Sequence, residues 1–424
     1  MVKGKNILFI TDSCPPNLTM SGIVVKNIID FLINDNNIDI IAVRQSDEDL
    51  KKYKGIVIDY VKSYPYYIVN NRKKKNHTKN KVLYLFFSIK VFAFRILSIK
   101  SRIISRIGIN DNLVKNLNES IEKKLSINHY DYVLCNAKPF ESFEAILPFI
   151  RKYPLTKFIS YQTDDFVTAG DERYMPKWLV KKKLNQRKKR INTYVDMFSI
   201  YGMLESVYMK EIKYVNSSHK PISMGIPLLL KREEDVERNN NTMSRDIRFV
   251  YAGSLVKSFR PPNECLEIMG TILEELGASM DIYHRGDCND IIDFYQKKSL
   301  GAICNKGMVS AEESYRAIGA ADVLISISNI AGDQISGKTF DYISTCKPII
   351  HFYYDNNDMN AKVLERYPNG ISVCVNDIYT SDFFSRIVNF LYEHLGNKVY
   401  YNDVLAQYAE YTVEMVVKRL FEGE

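Results

Sequence analysis

The sequence predicts an α/β protein built from two successive parallel-sheet domains, and three observations carry this. Short apolar runs, each closed by a small or polar residue and followed by a loop and a helical pattern, recur along both halves of the chain; buried parallel strands read as such continuous runs. At 424 residues, with 46% apolar and 25% charged residues, the chain has globular composition and room for two domains of roughly 200 residues each. The charge divides with the length. Residues 1–222 carry 38 Lys and Arg against 21 Asp and Glu, a net of +17, whereas residues 223–424 carry 20 against 29, a net of −9. The first half is therefore the one that faces an anionic partner, with nucleic acid and an anionic membrane surface as the candidates.

Taken in order, Asn6 to Thr11 (NILFIT) is the first strand, followed by a loop and the helical pattern IVVKNIIDFL. Gly22, just before that pattern, either lets backbone approach a ligand or serves only its turn. Ile38 to Val43 and Gly55 to Asp59 continue the strand–helix–strand alternation. Asp47-Glu48-Asp49 has the look of a metal-binding triplet, but it lies in a charged run with Lys51 and Lys52 and is expected to be solvated surface.

Residues 62–106 break the pattern. They hold twelve Lys and Arg and no Asp or Glu, with a basic, aromatic opening before the apolar VLYLFFSIKVFAFRILSI. That run is long enough to span a bilayer, yet Lys90 and Arg95 sit near its centre, where each costs roughly 2.5–3.5 kcal/mol. Lys81, Ser88, Arg95 and Arg102 recur every seven residues and give one polar stripe on an otherwise apolar helix. Two readings stand: a helix lying peripherally in an anionic membrane interface, each basic residue contributing about 1 kcal/mol, or a helix packed into the first domain with its basic edge in water.

Tyr130 to Asn136 and Thr156 to Tyr161 are the next strands, and Asp196 to Tyr201 is expected to be the last of this half. The second of these ends in Gln162-Thr163-Asp164-Asp165, at a strand's C-terminal end, where open α/β sheets place their ligand loops. Asp164 or Asp165 there either touches a substrate, orienting it or acting as a base, or caps the following helix. Lys181 to Arg190 reads as a solvated basic helix face. The seven cysteines stand singly, without metal-ligand spacing, and fit a reduced cytoplasmic chain; no apolar leader is expected at Asn6.

In the second half, the polar stretch 231–246 has linker composition. Arg248 to Ser254 is a strand ending in Gly253 and Ser254, with Lys257 and Arg260 in the loop beyond. Met280 to Arg285 with Gly286, and Leu300 to Val309, repeat the theme of a strand closing on glycine. The stretch Ala331 to Ile350 (AGDQISGKTFDYISTCKPII) is a loop, a helix start and a helix stopped by Pro348, leading into the strand Ile349 to Tyr354. Ser336, Gly337 and Lys338 lie between Asp333 and Asp341. Small residues at a helix start expose backbone N–H groups to a phosphate, while flanking carboxylates accept hydrogen bonds from sugar hydroxyls; the plainer alternative is a helix with an ordinary Ser or Asp cap. Gln407 to Phe421 is a final amphipathic helix.

The spacing of Asp333 and Asp341, and the run GKTFDYISTCKPII, resemble retaining glycosyltransferases of the GT-B fold, of the kind grouped in glycosyltransferase family 4. Their acidic pair is separated by seven residues, usually both Glu, and the second lies on a helix beside the donor diphosphate. The resemblance runs along nearly the whole chain. It implies two Rossmann-like domains facing a cleft: an acceptor-side domain over 1–222 carrying the basic insert 62–106, a nucleotide-sugar domain over 223–400, and residues 401–424 returning as a helix to the first domain. It implies an enzyme that moves a hexosyl group from a nucleotide-sugar, as in UDP-sugars, to a glycan or lipid-linked acceptor, with retention and without metal or other cofactor, as in bacterial surface polysaccharide assembly on the cytoplasmic membrane face. By the same resemblance Gly22 faces the donor, Gly253, Ser254, Lys257 and Gly286 belong to the donor-binding set, and Met308 and Val309 hold the base by backbone groups. Arg260, with Lys257 as second choice, would be the cation that a leaving diphosphate needs. Asp333, Ser336, Gly337, Lys338 and Asp341 would bind sugar and phosphate. The catalytic set implied is Asp333, Asp164 and Arg260, although the histidine that the family often carries near Asp164 has no counterpart here. A sugar-nucleotide epimerase of the same fold, a non-catalytic nucleotide-sugar binder and a nucleic-acid-binding protein are the rivals; the basic residues lack a nucleic-acid recognition signature, and no nucleic-acid partner is expected.

Overall fold

The computed structural model describes residues 2–15, 19–137, 139–168, 175–231, 247–332, 334–377, 380, 382–397 and 399–423. The chain divides into two compact units, one of Met1–Pro227 with Val413–Glu424 and one of Leu228–Thr412.

Unit 1 is built on β1 (Asn6–Thr11), β2 (Asn37–Val43), β3 (Lys52–Tyr53), β4 (Ile56–Val61), β5 (Tyr132–Ala137), β6 (Lys157–Gln162), β7 (Ile200–Leu204) and β8 (Ile222–Met224). Their order is β3-β4-β2-β1-β5-β6-β7-β8, parallel throughout except for the β3/β4 pair. The apolar run of β1 is explained by its position: with neighbours on both edges and helices over both faces, Ile7 to Ile10 are wholly buried. Leu8, Ile10, Val133, Phe143 and Tyr194 belong to one apolar core. The strand order reverses between β1 and β5, which is the position where open α/β sheets gather their ligand loops.

Several boundaries differ from expectation. The helix Lys177–Met197 runs through Asp196, so β7 begins only at Ile200; Ile191, Tyr194 and Val195 lie on its buried side and carry the helical period up to that point. Strand β8 pairs with β7 and stays in unit 1, so the division falls after Pro227 rather than after residue 222. The C-terminal helix is not continuous from Gln407. Tyr408 and Tyr411 are buried in unit 2, with Tyr411 packed 4.4 Å from Phe340, and a new helix, Val413–Glu422, then buries Val416, Leu420 and Phe421 in unit 1. The regular helix is interrupted at 408–412. In unit 1 the Phe421 ring lies 5.0 Å from Tyr132, and Arg419 donates to the Ser223 carbonyl at 3.1 Å.

The triplet at 47–49 is structured. Asp49 is buried and accepts the N–H groups of Gln45 at 2.7 Å and Ser46 at 3.0 Å, closing a turn. Asp47 accepts from Tyr66 at 2.5 Å, and Glu48 pairs with Lys73 at 2.8 Å. Residues 62–106 form two helices, Tyr64–His77 and Lys81–Ile104, packed on each other. No residue of the second is buried, which removes the expectation that it packs into the domain.

Unit 2 carries β9 (Arg248–Leu255), β10 (Ser279–Gly286), β11 (Ile303–Gly307), β12 (Val323–Ile327), β13 (Ile349–Tyr353) and β14 (Gly370–Cys374). The order is β11-β10-β9-β12-β13-β14, all parallel, with the reversal between β9 and β12. Its core gathers Phe249, Leu266, Ile282, Ile325, Phe352 and Leu391.

Candidate functional site

The reversal in unit 2 brings the loop after β9 beside the loop after β12, and most of the expected donor residues lie on these two loops, at the end of β9 or in the helix that follows the second loop. Val256 and Arg260 close a tight turn, their backbones exchanging hydrogen bonds of 2.7 and 3.2 Å. The turn sets the Arg260 guanidinium back over the strand end, where Nε donates to Asn329 Oδ1 at 2.9 Å and Nη1 to the Ser254 carbonyl at 3.4 Å. The Tyr251 hydroxyl also donates to that carbonyl, at 3.0 Å, and burial pushes its pKa up to about 12. Arg285 Nε donates to Ser254 Oγ at 3.0 Å. Ser254 therefore gathers two guanidinium groups at the C-terminal end of β9, and such groups are suited to a diphosphate.

Lys257 lies on the outside of the same turn. Its ammonium pairs with Asp290 at 2.7 Å and its N–H donates to Asp287 at 2.9 Å. Of the two cations the sequence offered, Arg260 is the one bonded to both loops. Gly286 ends β10 with φ +138°, and a Cβ there would lie 1.8 Å from the Leu255 carbonyl oxygen, so only glycine allows the two strand ends to approach so closely. Gly253 lies in β9 over the Tyr251 ring. The backbones of Ala252, Tyr283 and Gly307 stand in one row across β9, β10 and β11, which puts Met308 and Val309 about two strand spacings, or about 10 Å, from the end of β9. Met308 is exposed and Val309 half-buried, ahead of the helix Ala311–Ala320 that Ser310 caps.

The loop after β12 is held at both ends. Buried Asp358 accepts from Ser328 Oγ, lies 3.0 Å from His351 Nε2, and caps its own helix through Ala361 N–H at 2.8 Å. Burial raises the Asp358 pKa, but the His351 contact and the other two hydrogen bonds outweigh that and hold it below 3.8. The neighbouring Met359 N–H donates to the Gly332 carbonyl at 2.9 Å. At the far end Asn360 accepts from Ser336 N–H at 2.7 Å and Thr339 Oγ1 at 2.9 Å, and donates to the Gln334 carbonyl at 3.0 Å. Asp333 itself lies outside the described residues.

Ser336 is the cap of the helix Gly337–Ile343, its Oγ accepting from Lys338 N–H at 3.3 Å. Asp341 is therefore not the cap; it lies one turn further in, half-buried, 3.3 Å from the Lys338 ammonium, which also stands 4.7 Å over the Tyr315 ring. Tyr342 pins this helix to the sheet, its hydroxyl accepting from Ala252 N–H at 2.9 Å and donating to Ala252 O at 3.3 Å. Sequence reasoning missed Arg285, Asn329, Tyr342 and Asn360. Their only sequence signal was position, since each lies at or just beyond a strand end or on a helix that follows one.

Gly22 and Asp164 belong to unit 1. Gly22 is in the first turn of the helix Met20–Leu32, its N–H donating to the capping Thr19 Oγ1 at 3.0 Å. Next to it Ser21 Oγ accepts from Asn136 Nδ2 and lies 3.3 Å from Thr163 Oγ1, joining the ends of β5 and β6 to the start of that helix. Asn136 Oδ1 is buried without a hydrogen-bond partner among the described residues. Asp164 follows β6, its carbonyl accepting from Gln162 Nε2 at 3.0 Å; that amide also donates to buried Glu211 at 2.8 Å. Asp165 pairs with Lys210 at 3.4 Å. Among the described residues no cluster of His, Cys, Asp and Glu has metal-holding geometry.

No family model matches the sequence, and no curated protein matches it. Solved structures do match, along nearly the whole chain. One is TarM, at TM-score 0.57 and 10% identity over 99% of this chain and 98% of that one. A glycosyltransferase from Rickettsia africae matches at 0.54 and 12%, over 99% and 98%. The lipopolysaccharide outer core galactosyltransferase WaaB, in its apo form, matches at 0.53 and 12%, over 99% and 100%. At these identities the likeness establishes the fold: two Rossmann-like sheets in one chain, the GT-B fold.

Proposed function

We propose that the protein is a glycosyltransferase that moves a hexosyl group from a nucleotide-sugar donor to a glycan or lipid-linked acceptor. The observation that carries this reading is the placement of Arg260: it stands at the strand-order reversal of unit 2, bonded to both reversal loops and sharing Ser254 with Arg285. A nucleoside diphosphate leaving group gains negative charge as the glycosidic bond breaks, and a preorganised guanidinium stabilises that charge without reorganising. The GT-B fold, shared with solved structures of which several are glycosyltransferases, supports the same class. The base would lie along Met308 and Val309, the phosphates at Ser254, Arg260 and the Ser336-Gly337 helix start, and the sugar hydroxyls against Asp341 and Asp333. The acceptor would lie against unit 1, near Ser21, Thr163 and Asp164. The reaction is expected to retain anomeric configuration and to need no metal or other cofactor, working at the cytoplasmic face of a membrane.

Thermal shift against UDP-, GDP- and CMP-sugars tests the donor. A ligand at 100 times its dissociation constant adds about 2.7 kcal/mol of stability, enough to move the melting temperature by degrees. Transfer assayed with the stabilising donor, the product anomer read by NMR, tests the rest. A chain that no nucleotide-sugar stabilises is not a transferase of this kind.

A further inference from the structure

The helical hairpin of unit 1 is the largest feature that sugar transfer leaves unused. Its second helix, Lys81–Ile104, has twenty-four residues and is long and apolar enough to cross a membrane, yet none of it is buried. At about 100° per residue, Phe87, Val91, Phe94 and Ser98 fall on one side. They are half-buried against Tyr64–His77, with the Phe94 ring stacked 4.9 Å from Tyr67. The opposite side carries Val82, Leu85, Ile89, Phe92, Ile96 and Ile99, alternately three and four residues apart, with Ile103 one turn on. All are exposed, Val82 at 75%, Ile89 at 58% and Phe92 at 65%. Lys90 borders this stripe on one edge and Arg95 on the other, while Lys100 lies among its last turns.

A surface of this kind has an occupant, and charge selects it. A second copy would satisfy the apolar spacing, but residues 62–106 contain twelve Lys and Arg and no acid, so paired hairpins would set cation against cation. Spanning is excluded by the partner helix, whose Asn70, Asn71, Arg72 and Lys73 to Lys75 would have to follow into hydrocarbon. An anionic bilayer interface accepts both features at once: acyl chains take the stripe and phosphates take the bordering cations.

We propose that the hairpin is a lipid-binding module that lays Lys81–Ile104 flat in the interface of an anionic membrane, stripe inward, with Tyr64–His77 on the water side. The module is fastened to its domain rather than tethered. Tyr66 and Lys73 bind Asp47 and Glu48 beside the sheet edge, and at the base Lys183 and Arg187 donate to the carbonyls of Ile103 and Ile107 at 3.0 and 2.7 Å. Unit 1 would therefore be held at a fixed attitude to the bilayer. The assignment does not rest on the sugar-transfer reading, because vesicle binding needs neither donor nor acceptor.

The test is co-sedimentation of the full chain with phosphatidylcholine vesicles and with vesicles containing about a third phosphatidylglycerol. Binding at least about tenfold stronger to the anionic vesicles, weakening with salt, is expected. Ile89→Asp with Phe92→Asp should cut it by about tenfold or more at unchanged melting temperature, since both residues are exposed. Because Trp178 is the chain's single tryptophan, Phe92→Trp in a Trp178→Phe background reports depth directly, and a blue shift on vesicle addition is expected. Binding that survives the Asp pair, or an emission that stays put, would reduce the contact to surface charge and overturn the proposal. Concentration-dependent self-association abolished by the Asp pair, without vesicle binding, would give the stripe to a second copy.

Discussion

Arg260 Nε donates to Asn329 Oδ1 at 2.9 Å, tying together two loops that lie sixty-nine residues apart in sequence. A second tie runs beside it, from Ile330 N–H to the Phe259 carbonyl at 2.8 Å. An arginine on a surface turn has many rotamers, and fixing it costs entropy that is here met by the fold rather than by a ligand. In the proposed site the cation is thus held in place before any diphosphate binds.

If that preorganisation serves the leaving group, Arg260→Ala should lower kcat by more than it weakens nucleotide binding. A loss of about tenfold or more in kcat is expected, about 1.4 kcal/mol of transition-state stabilisation. Arg260→Lys should recover only part, because an ammonium cannot hold Asn329 and a phosphate through one planar fork. Steady-state kinetics with a separately measured nucleotide Kd would decide it, and unchanged turnover in the alanine variant removes Arg260 from the site.

Tyr342 offers a structural counterpart. Its hydroxyl satisfies both Ala252 N–H and Ala252 O inside the core, so Tyr342→Phe leaves a buried donor unpaired and should cost about 1–3 kcal/mol in urea unfolding. Because the same bond pins the helix Gly337–Ile343 to β9, nucleotide affinity should fall with it. Unaltered stability would mean that another group reaches Ala252.

The strands were readable because parallel strands covered on both faces leave few polar positions; β1 shows this, with Ile7 to Ile10 all buried. Helix ends next to them were not, since Asp196 looks like a strand start until Tyr194 and Val195 are seen to complete a helical face. In the 47–49 triplet local charge was a good guide for Asp47 and Glu48, which are exposed, but not for Asp49, which is buried and spends its oxygens on backbone N–H groups within its own turn. Arg260, Gly286 and Ser336 were singled out by the resemblance, and each lies at or beyond the end of a strand. Asn329, Asn360 and the His351–Asp358 pair could not, since their roles exist only once β12 and β13 lie side by side.

A pH dependence follows from Glu211, buried beneath the loop that carries Asp164. Burial raises its pKa from 4.5 to about 7 despite hydrogen bonds from Gln162 and the Val167 N–H. Below 4.5 the folded and unfolded chains both hold the proton; between 4.5 and 7 only the folded chain does. Stability should therefore fall as pH rises through that window, by on the order of 3 kcal/mol, and level off above it. Glu211→Gln should flatten this part of the profile, which urea midpoints at pH values across the window would reveal. A wild-type profile already flat there contradicts the assignment.

Asp341 separates the sugar-binding reading from a merely local one. It is half-buried one turn into a helix that Ser336 already caps, and its described partner is Lys338 at 3.3 Å. Losing its charge should cost little stability, since such a partly exposed pair contributes about 0–1 kcal/mol. If the carboxylate accepts hydrogen bonds from the donor, Asp341→Asn should lower kcat/KM by more than about tenfold at nearly unchanged melting temperature. Asp341→Glu keeps the charge with one more methylene and should lose much less. Full activity in Asp341→Asn would confine the residue to a local structural role, whereas equal damage from both substitutions would point to the length of the side chain rather than its charge.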